Sequence, residues 1–237
     1  MDDFTMPDTG VDLPTHRQAK PLALLAMAAL AGLASWTIGE QTRELARIPL
    51  EISSKSYQFK ELNAATIKAN SINGSLVYGV LGAMTCLALT AGVKPRRLGR
   101  ILAAVAIGVI AGAVPCFVVM PLHWMNRNQD PAVLDMTRPL LYHLGLWLPI
   151  GLAAGLASGL GRGVPRPQWL GLMVSGMIGA LLGTVVYEFT GAIAMPMDLT
   201  VNPIAATAQA RLLAHLAVPV CIAASLGVAG SRKPKNG

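Results

Sequence analysis

Apolar residues fall in six long runs along the 237-residue chain, and polar stretches separate one run from the next. A helix of 18 residues rises about 27 Å, close to the roughly 30 Å thickness of a bilayer's hydrocarbon core. The pattern therefore predicts an all-α, polytopic membrane protein with six transmembrane helices. The predicted spans are residues 21–38, 72–93, 98–122, 140–160, 169–189 and 212–229.

The composition agrees with a lipid-exposed exterior. The chain is 53% hydrophobic and only 13% charged, about half the charged content of a typical soluble domain. A formal charge of +7 raises the question of nucleic acid. The basic residues lie at the ends of the apolar runs, which suits lipid headgroups and topology rather than a nucleic-acid groove.

Three polar segments flank or interrupt the spans. Residues 1–20 and 231–237 are predicted to be cytoplasmic tails, the second of them basic, and residues 41–71 form an extracytoplasmic segment. The long segment is either one or two short amphipathic helices at the membrane surface or a solvated connection. The first run resembles a secretory signal, but it is long and lacks a small-x-small cleavage site, so we expect a retained span.

The distribution of lysine and arginine predicts the orientation. Eleven of the nineteen lie in the two tails and in the second-to-third and fourth-to-fifth connections. The other eight are spread over much longer connections. Because basic residues concentrate on the cytoplasmic side, both termini are expected there, in a cell (plasma) membrane.

An internal repeat is predicted from self-comparison. Ile107-Gly108-x-x-x-Gly112 recurs as Ile178-Gly179-x-x-x-Gly183, and the sequence around His143 recurs around His215 at nearly the same offset. Three diverged helical hairpins related by a pseudo-threefold axis along the membrane normal would explain the spacing. Chance is the alternative, since glycine and leucine are abundant.

Small residues four positions apart form flat stripes on several spans. Such stripes let helix backbones approach closely in lipid. We expect them to pack helices within the chain first and to contact other copies or other membrane subunits second. The predicted helix-packing residues are Gly108, Gly112, Gly151, Gly155, Gly179 and Gly183.

Three ionisable side chains form the candidate site. His143, His215 and Glu188 lie near the same membrane face on this topology. A carboxylate and imidazoles that converged from different spans could bind a divalent metal or relay a proton. The alternative is an interfacial role, in which each side chain reaches the headgroups separately.

Enzyme signatures are missing from the sequence. Cys86, Cys116 and Cys221 lie inside apolar runs without ligand spacing, and no nucleophile elbow, metalloprotease or phosphate-loop motif occurs. We therefore expect no enzyme and no cofactor. The preferred hypothesis is a transporter of a small solute or ion, or part of a transport assembly. The alternative is a structural or accessory membrane subunit without its own substrate.

Overall fold

Apolar helices make up nearly all of the structure, a computed structural model that describes residues 21–47, 59–91, 98–126, 137–195 and 202–231. The tails 1–20 and 232–237 lie outside the described residues. Within the described residues the chain is all-helical and contains no strand. The helices are α1 (Pro21–Thr42), α2 (Phe59–Ala91), α3 (Leu98–Ala113), α4 (Cys116–Asn126), α5 (Thr137–Arg162), α6 (Trp169–Ala194) and α7 (Ala208–Ser231), with a 3-10 turn at Arg166–Gln168.

Six segments are long and apolar enough to cross a membrane, which confirms the predicted number of spans. Each overlaps one of the predicted runs, and α3 and α4 together form the third. The class of protein that these segments define is an all-helical, multi-pass membrane protein.

The second span differs from its predicted bounds. The helix begins at Phe59 rather than at Ile72, so much of the segment 41–71 belongs to α2. A helix of 33 residues is about 50 Å long, about 20 Å longer than the hydrocarbon core. Its first turns carry Lys60, Glu61 and Lys68. These turns are therefore too polar to be assigned to the span from hydropathy alone.

Two breaks follow local chemistry. Pro115 separates α3 from α4, because proline lacks an N–H and its ring clashes with the carbonyl four residues earlier. At the end of α5, Gly163 takes a positive φ of 64°, and the amides of Gly163 and Val164 both donate to the carbonyl of Gly159. That left-handed closure is a common helix end, and glycine adopts it without steric cost.

Consecutive spans pack side by side, and the sixth span packs against the first, which closes the bundle. Neighbouring spans run antiparallel: Gly108 lies against Gly82, and Gly112 lies against Tyr78. The helix α5 also contacts α2 across the bundle. The interior is filled by side chains with almost no exposure, including Leu81, Leu146, Trp147 and Ile150.

The predicted packing glycines lie at the closest approaches between helices. A methyl group on any of the six would overlap the backbone of a neighbouring helix. Gly151 and Gly155 face α6 at Gly176 and Leu172. The stripes therefore bring backbones together within the chain.

The matched glycines of the predicted repeat have different neighbours. Gly108 and Gly112 face α2, the preceding span, whereas Gly179 and Gly183 face α7, the following span, at Ile222 and Val218. Equivalent positions in a pseudo-threefold arrangement would face equivalent neighbours. The repeat stays a prediction, and these contacts do not share its symmetry.

Candidate functional site

The bundle has two ends, and the candidate residues lie at one of them. We call it the distal end: α1 ends there and α2 begins there. His143 lies near the start of α5, Glu188 near the end of α6, and His215 near the start of α7. Because the spans alternate in direction, these positions come to similar depths.

A direct contact joins His143 to Glu188. The Nδ1 atom of His143 lies 2.5 Å from Oε1 of Glu188. With Glu188 ionised, the carboxylate only accepts, so Nδ1–H of the imidazole donates. The His143 side chain is 1% exposed and that of Glu188 is 17% exposed. The pair therefore has one buried member and one member at the edge of the bundle.

Aromatic rings enclose the imidazole. His143 stacks on Trp147 at a centroid distance of 4.7 Å, and Tyr187 meets it edge-on at 5.0 Å. The indole Nε1 of Trp147 is buried and has no hydrogen-bond partner among the described residues. The rings therefore shield the imidazole from the surrounding lipid.

The spacing of the site residues along α5 and α6 determines which way their side chains point. His143, Trp147 and Ile150 lie four and three residues apart on α5, so they share its buried face. On α6, Tyr187 points inward, while Glu188, one residue later, is turned about 100° toward the edge of the bundle. Consecutive residues of α6 thus supply an aromatic wall and a partly exposed carboxylate.

His215 lies in a second contact with the first span. Its Nδ1 is 2.8 Å from the hydroxyl of Ser35, and that hydroxyl donates to the carbonyl of Gly32, also at 2.8 Å. Since a hydroxyl has a single proton, it accepts from Nδ1–H of His215. The carbonyl of His215 has no helical partner because Pro219 lacks an N–H, and it lies directly against Gly32.

A partly buried ion pair lies beside this contact. Arg211 of α7 holds Glu40 of α1 with two hydrogen bonds, of 2.5 Å from Nε and 2.8 Å from Nη2. Its Nη1 donates to the carbonyls of Ala205 and Ala206 at 2.7 and 2.8 Å. One guanidinium therefore ties α1, α7 and the connection before α7 together in the planar geometry typical of arginine.

The structure brings two of the three predicted site residues together. His143 and Glu188 are in contact, and His215 pairs with Ser35 instead. Within the described parts of the chain, no three side chains of His, Cys, Asp or Glu are grouped to hold a metal. The metal site stays a prediction, whereas the His143–Glu188 pair has the geometry of a proton relay.

Mostly apolar side chains fill the bundle between this pair and the opposite end. Leu81, Ile150 and Ala154 are completely buried. The hydroxyls of Thr85 and Thr184 are buried among them, and each donates to a carbonyl of its own helix.

Three polar residues at the distal end were not singled out from the sequence as site residues, namely Ser35, Glu40 and Arg211. Their contacts join distant parts of the chain: Ser35 and His215 are 180 residues apart, and Glu40 and Arg211 are 171 apart. Glu40 had one usable signal, because it lies two residues after the first apolar run. Only the packing of α1 on α7 identifies its partner.

Comparisons with known proteins add no family to this class. No protein-family model matches the chain, and no curated protein or solved structure matches it either.

Proposed function

We propose that the chain is a membrane transport protein in which the His143–Glu188 pair accepts and releases a proton at the distal end. One observation carries the proposal: an imidazole and a carboxylate from different membrane-spanning helices meet in a direct hydrogen bond. Ionisable groups on such helices are costly and commonly belong to ion or proton pathways. An interfacial role would instead turn His143, His215 and Glu188 toward headgroups, yet both histidines are buried.

A carrier suits this geometry better than an open channel. Closely packed side chains, among them Leu81, Ile150 and Ala154, fill the bundle between the pair and the other end. Protonation would neutralise Glu188 or charge His143, and either change alters the helix contact between α5 and α6. Such a contact is the kind of element that a coupled ion can bias during alternating access.

The proposed setting is a cell membrane with both termini in the cytoplasm, which makes the distal end extracytoplasmic. This orientation follows from the distribution of Lys and Arg. The lipid bilayer is the constant partner. Further copies of the chain or other membrane subunits are the proposed protein partners.

Proton flux into liposomes tests the proposal. The purified protein is reconstituted with an internal pH-sensitive dye, the membrane potential is clamped, and a pH gradient is imposed. We expect flux above that of protein-free liposomes, and a decrease in Glu188→Gln and His143→Gln on the order of 10²-fold, as for other positioned proton-transfer groups.

Glu44→Gln is the matched control, because Glu44 is an exposed carboxylate at the same end that pairs with Arg43. It should leave the flux unchanged. The proposal would be contradicted by a proton flux in wild-type liposomes no higher than in protein-free liposomes. An undiminished proton flux in Glu188→Gln would contradict it as well.

An accessory membrane subunit is the second candidate. An apolar groove of about 380 Å³ opens on the side of the bundle between α3, α5 and α6, lined by residues such as Ile107, Leu148 and Met177. A groove without polar lining at this depth suits an apolar helix of another subunit. The absence of proton flux, together with co-purification of a stoichiometric membrane protein, would favour this function.

A further inference from the structure

Residues 202–206 form a non-helical segment at the distal end, between the end of α6 and the start of α7. Pro203 and Ala205 are buried, and Ile204 packs against the main hydrophobic core. Irregular backbone is tolerated inside a membrane bundle only where protein or water satisfies its polar groups. The question is therefore which side chains bind this segment.

Two side chains from different spans bind it. Arg211 donates to the carbonyls of Ala205 and Ala206, and the hydroxyl of Tyr78 in α2 donates to the carbonyl of Pro203. Arg211 is in turn fixed by Glu40 of α1. Three carbonyls of the segment are thus held by groups from outside it.

The segment covers part of the candidate site. Tyr78 belongs to the same buried cluster as Trp147 and Tyr187, the two rings that enclose His143. Cys116 lies close to the segment: its Sγ and the Cδ1 of Ile204 are each 3.5 Å from the point that a Cβ on Gly74 would occupy, and the Cε of Met120 is 2.8 Å from it. Removing residues 202–206 would therefore expose the hydroxyl of Tyr78 and remove one of the side chains near Cys116.

We propose that residues 202–206 are a removable plug over the distal entrance, and that Arg211, fixed by Glu40, is the latch that keeps the plug closed. Hydrogen bonds from Tyr78 and Arg211 hold this backbone, and Ile204 adds an apolar contact with the core. Because the segment is not helical, it can leave without unfolding a span. Movement of α1 relative to α7 would separate Glu40 from Arg211 and release the plug. What the plug admits rests on the proposed proton function, but the existence of the plug does not.

Thiol labelling of the full-length protein in liposomes tests the plug. The probe is MTSET, a charged thiosulfonate that reaches a thiol only through water, and mass spectrometry reads each cysteine separately. In the wild type, Cys116 is fully buried and should react slowly. In Arg211→Gln, which loses the latch, we expect labelling of Cys116 to rise at least about tenfold, because several charge-assisted hydrogen bonds are removed.

Cys86 and Arg43→Gln serve as controls. Cys86 is buried on α2 about two turns further from the distal end than Tyr78, so its labelling should stay unchanged. Arg43 also pairs with Glu40, at 3.7 Å, but its pairing with Glu40 and Glu44 does not involve the plug. Arg43→Gln should therefore behave as the wild type.

Unchanged labelling of Cys116 in Arg211→Gln would overturn the plug. If Arg211→Gln exposes Cys86 as well, the variant has lost its fold, and Tyr78→Phe then tests the plug instead. This variant removes one hydrogen bond to Pro203 and should raise the labelling of Cys116 alone about fivefold; no change would overturn the proposal. Since labelling does not measure flux, the plug and the transport function can fail separately.

Discussion

Single atoms decide how closely the helices of this bundle approach one another. At Gly108 the backbone of α3 lies directly against the backbone of Gly82 in α2, and at Gly112 it lies against Tyr78. Backbone atoms cannot rotate away from an added methyl group as a flexible side chain can. These positions therefore exclude every residue larger than glycine for a geometric reason.

Gly108→Ala should separate α2 from α3 and destabilise the protein by about 1–3 kcal/mol, the usual cost of overpacking. Thermal unfolding in detergent, followed by the loss of monodisperse protein, measures the effect as a lower midpoint temperature. Gly99→Ala on the same helix is the control, because no heavy atom lies within 4 Å of the added Cβ. Equal midpoints for the two variants would contradict the assigned contact.

The candidate site shows what residue-level sequence reasoning could and could not reach. His143 and Glu188 were predicted because ionisable residues in apolar runs are conspicuous. Their contact, and the separate pairing of His215 with Ser35, depend on which face each helix turns inward. One sequence does not fix those rotations when the hydrophobic surface covers every side of a helix.

At the scale of the helices, hydropathy located all six spans but missed the start of α2. Lys60, Glu61 and Lys68 lie in its first turns, so the apolar pattern begins only after them. The hydrogen bonds of a helix do not depend on the polarity of its surface, and a helix can continue beyond the bilayer. Length and chemistry together indicate that the first turns project from the distal end.

Hydrogen exchange should divide α2 into two parts. We expect backbone amides of residues 59–68 to exchange on the order of tenfold faster than those of residues 75–90, because exposed turns open locally while turns packed in the bundle do not. Mass spectrometry of the protein in lipid nanodiscs resolves the two regions. Peptides from α3, whose apolar run begins at its first turn, are the control; uniform protection along α2 would contradict the projecting end.

At the scale of the whole molecule, the number of spans determines on which side of the membrane the two ends of the bundle lie. An even number of spans places both ends of the described bundle, Pro21 and Ser231, on the same side. Every acidic residue of the described helices and of the turn after α1, namely Glu40, Glu44, Glu61 and Glu188, lies at the distal end. Arg100, Arg162 and Arg166 lie at the opposite end without a described acidic residue beside them, whereas the distal end also carries basic residues such as Arg43, Lys60 and Arg211.

The density of Lys and Arg in the tails and connections predicts the orientation, because short basic segments are retained in the cytoplasm. A green fluorescent protein fused after Gly237 should be fluorescent in bacterial cells, since it matures in the cytoplasm and not after export in an unfolded state. Alkaline phosphatase, which is active only outside the cytoplasm, should be active when inserted between residues 127 and 136 and inactive after Gly237. The opposite pattern would place the distal end, with His143 and Glu188, inside the cell, and the proposed proton entry would then face the cytoplasm.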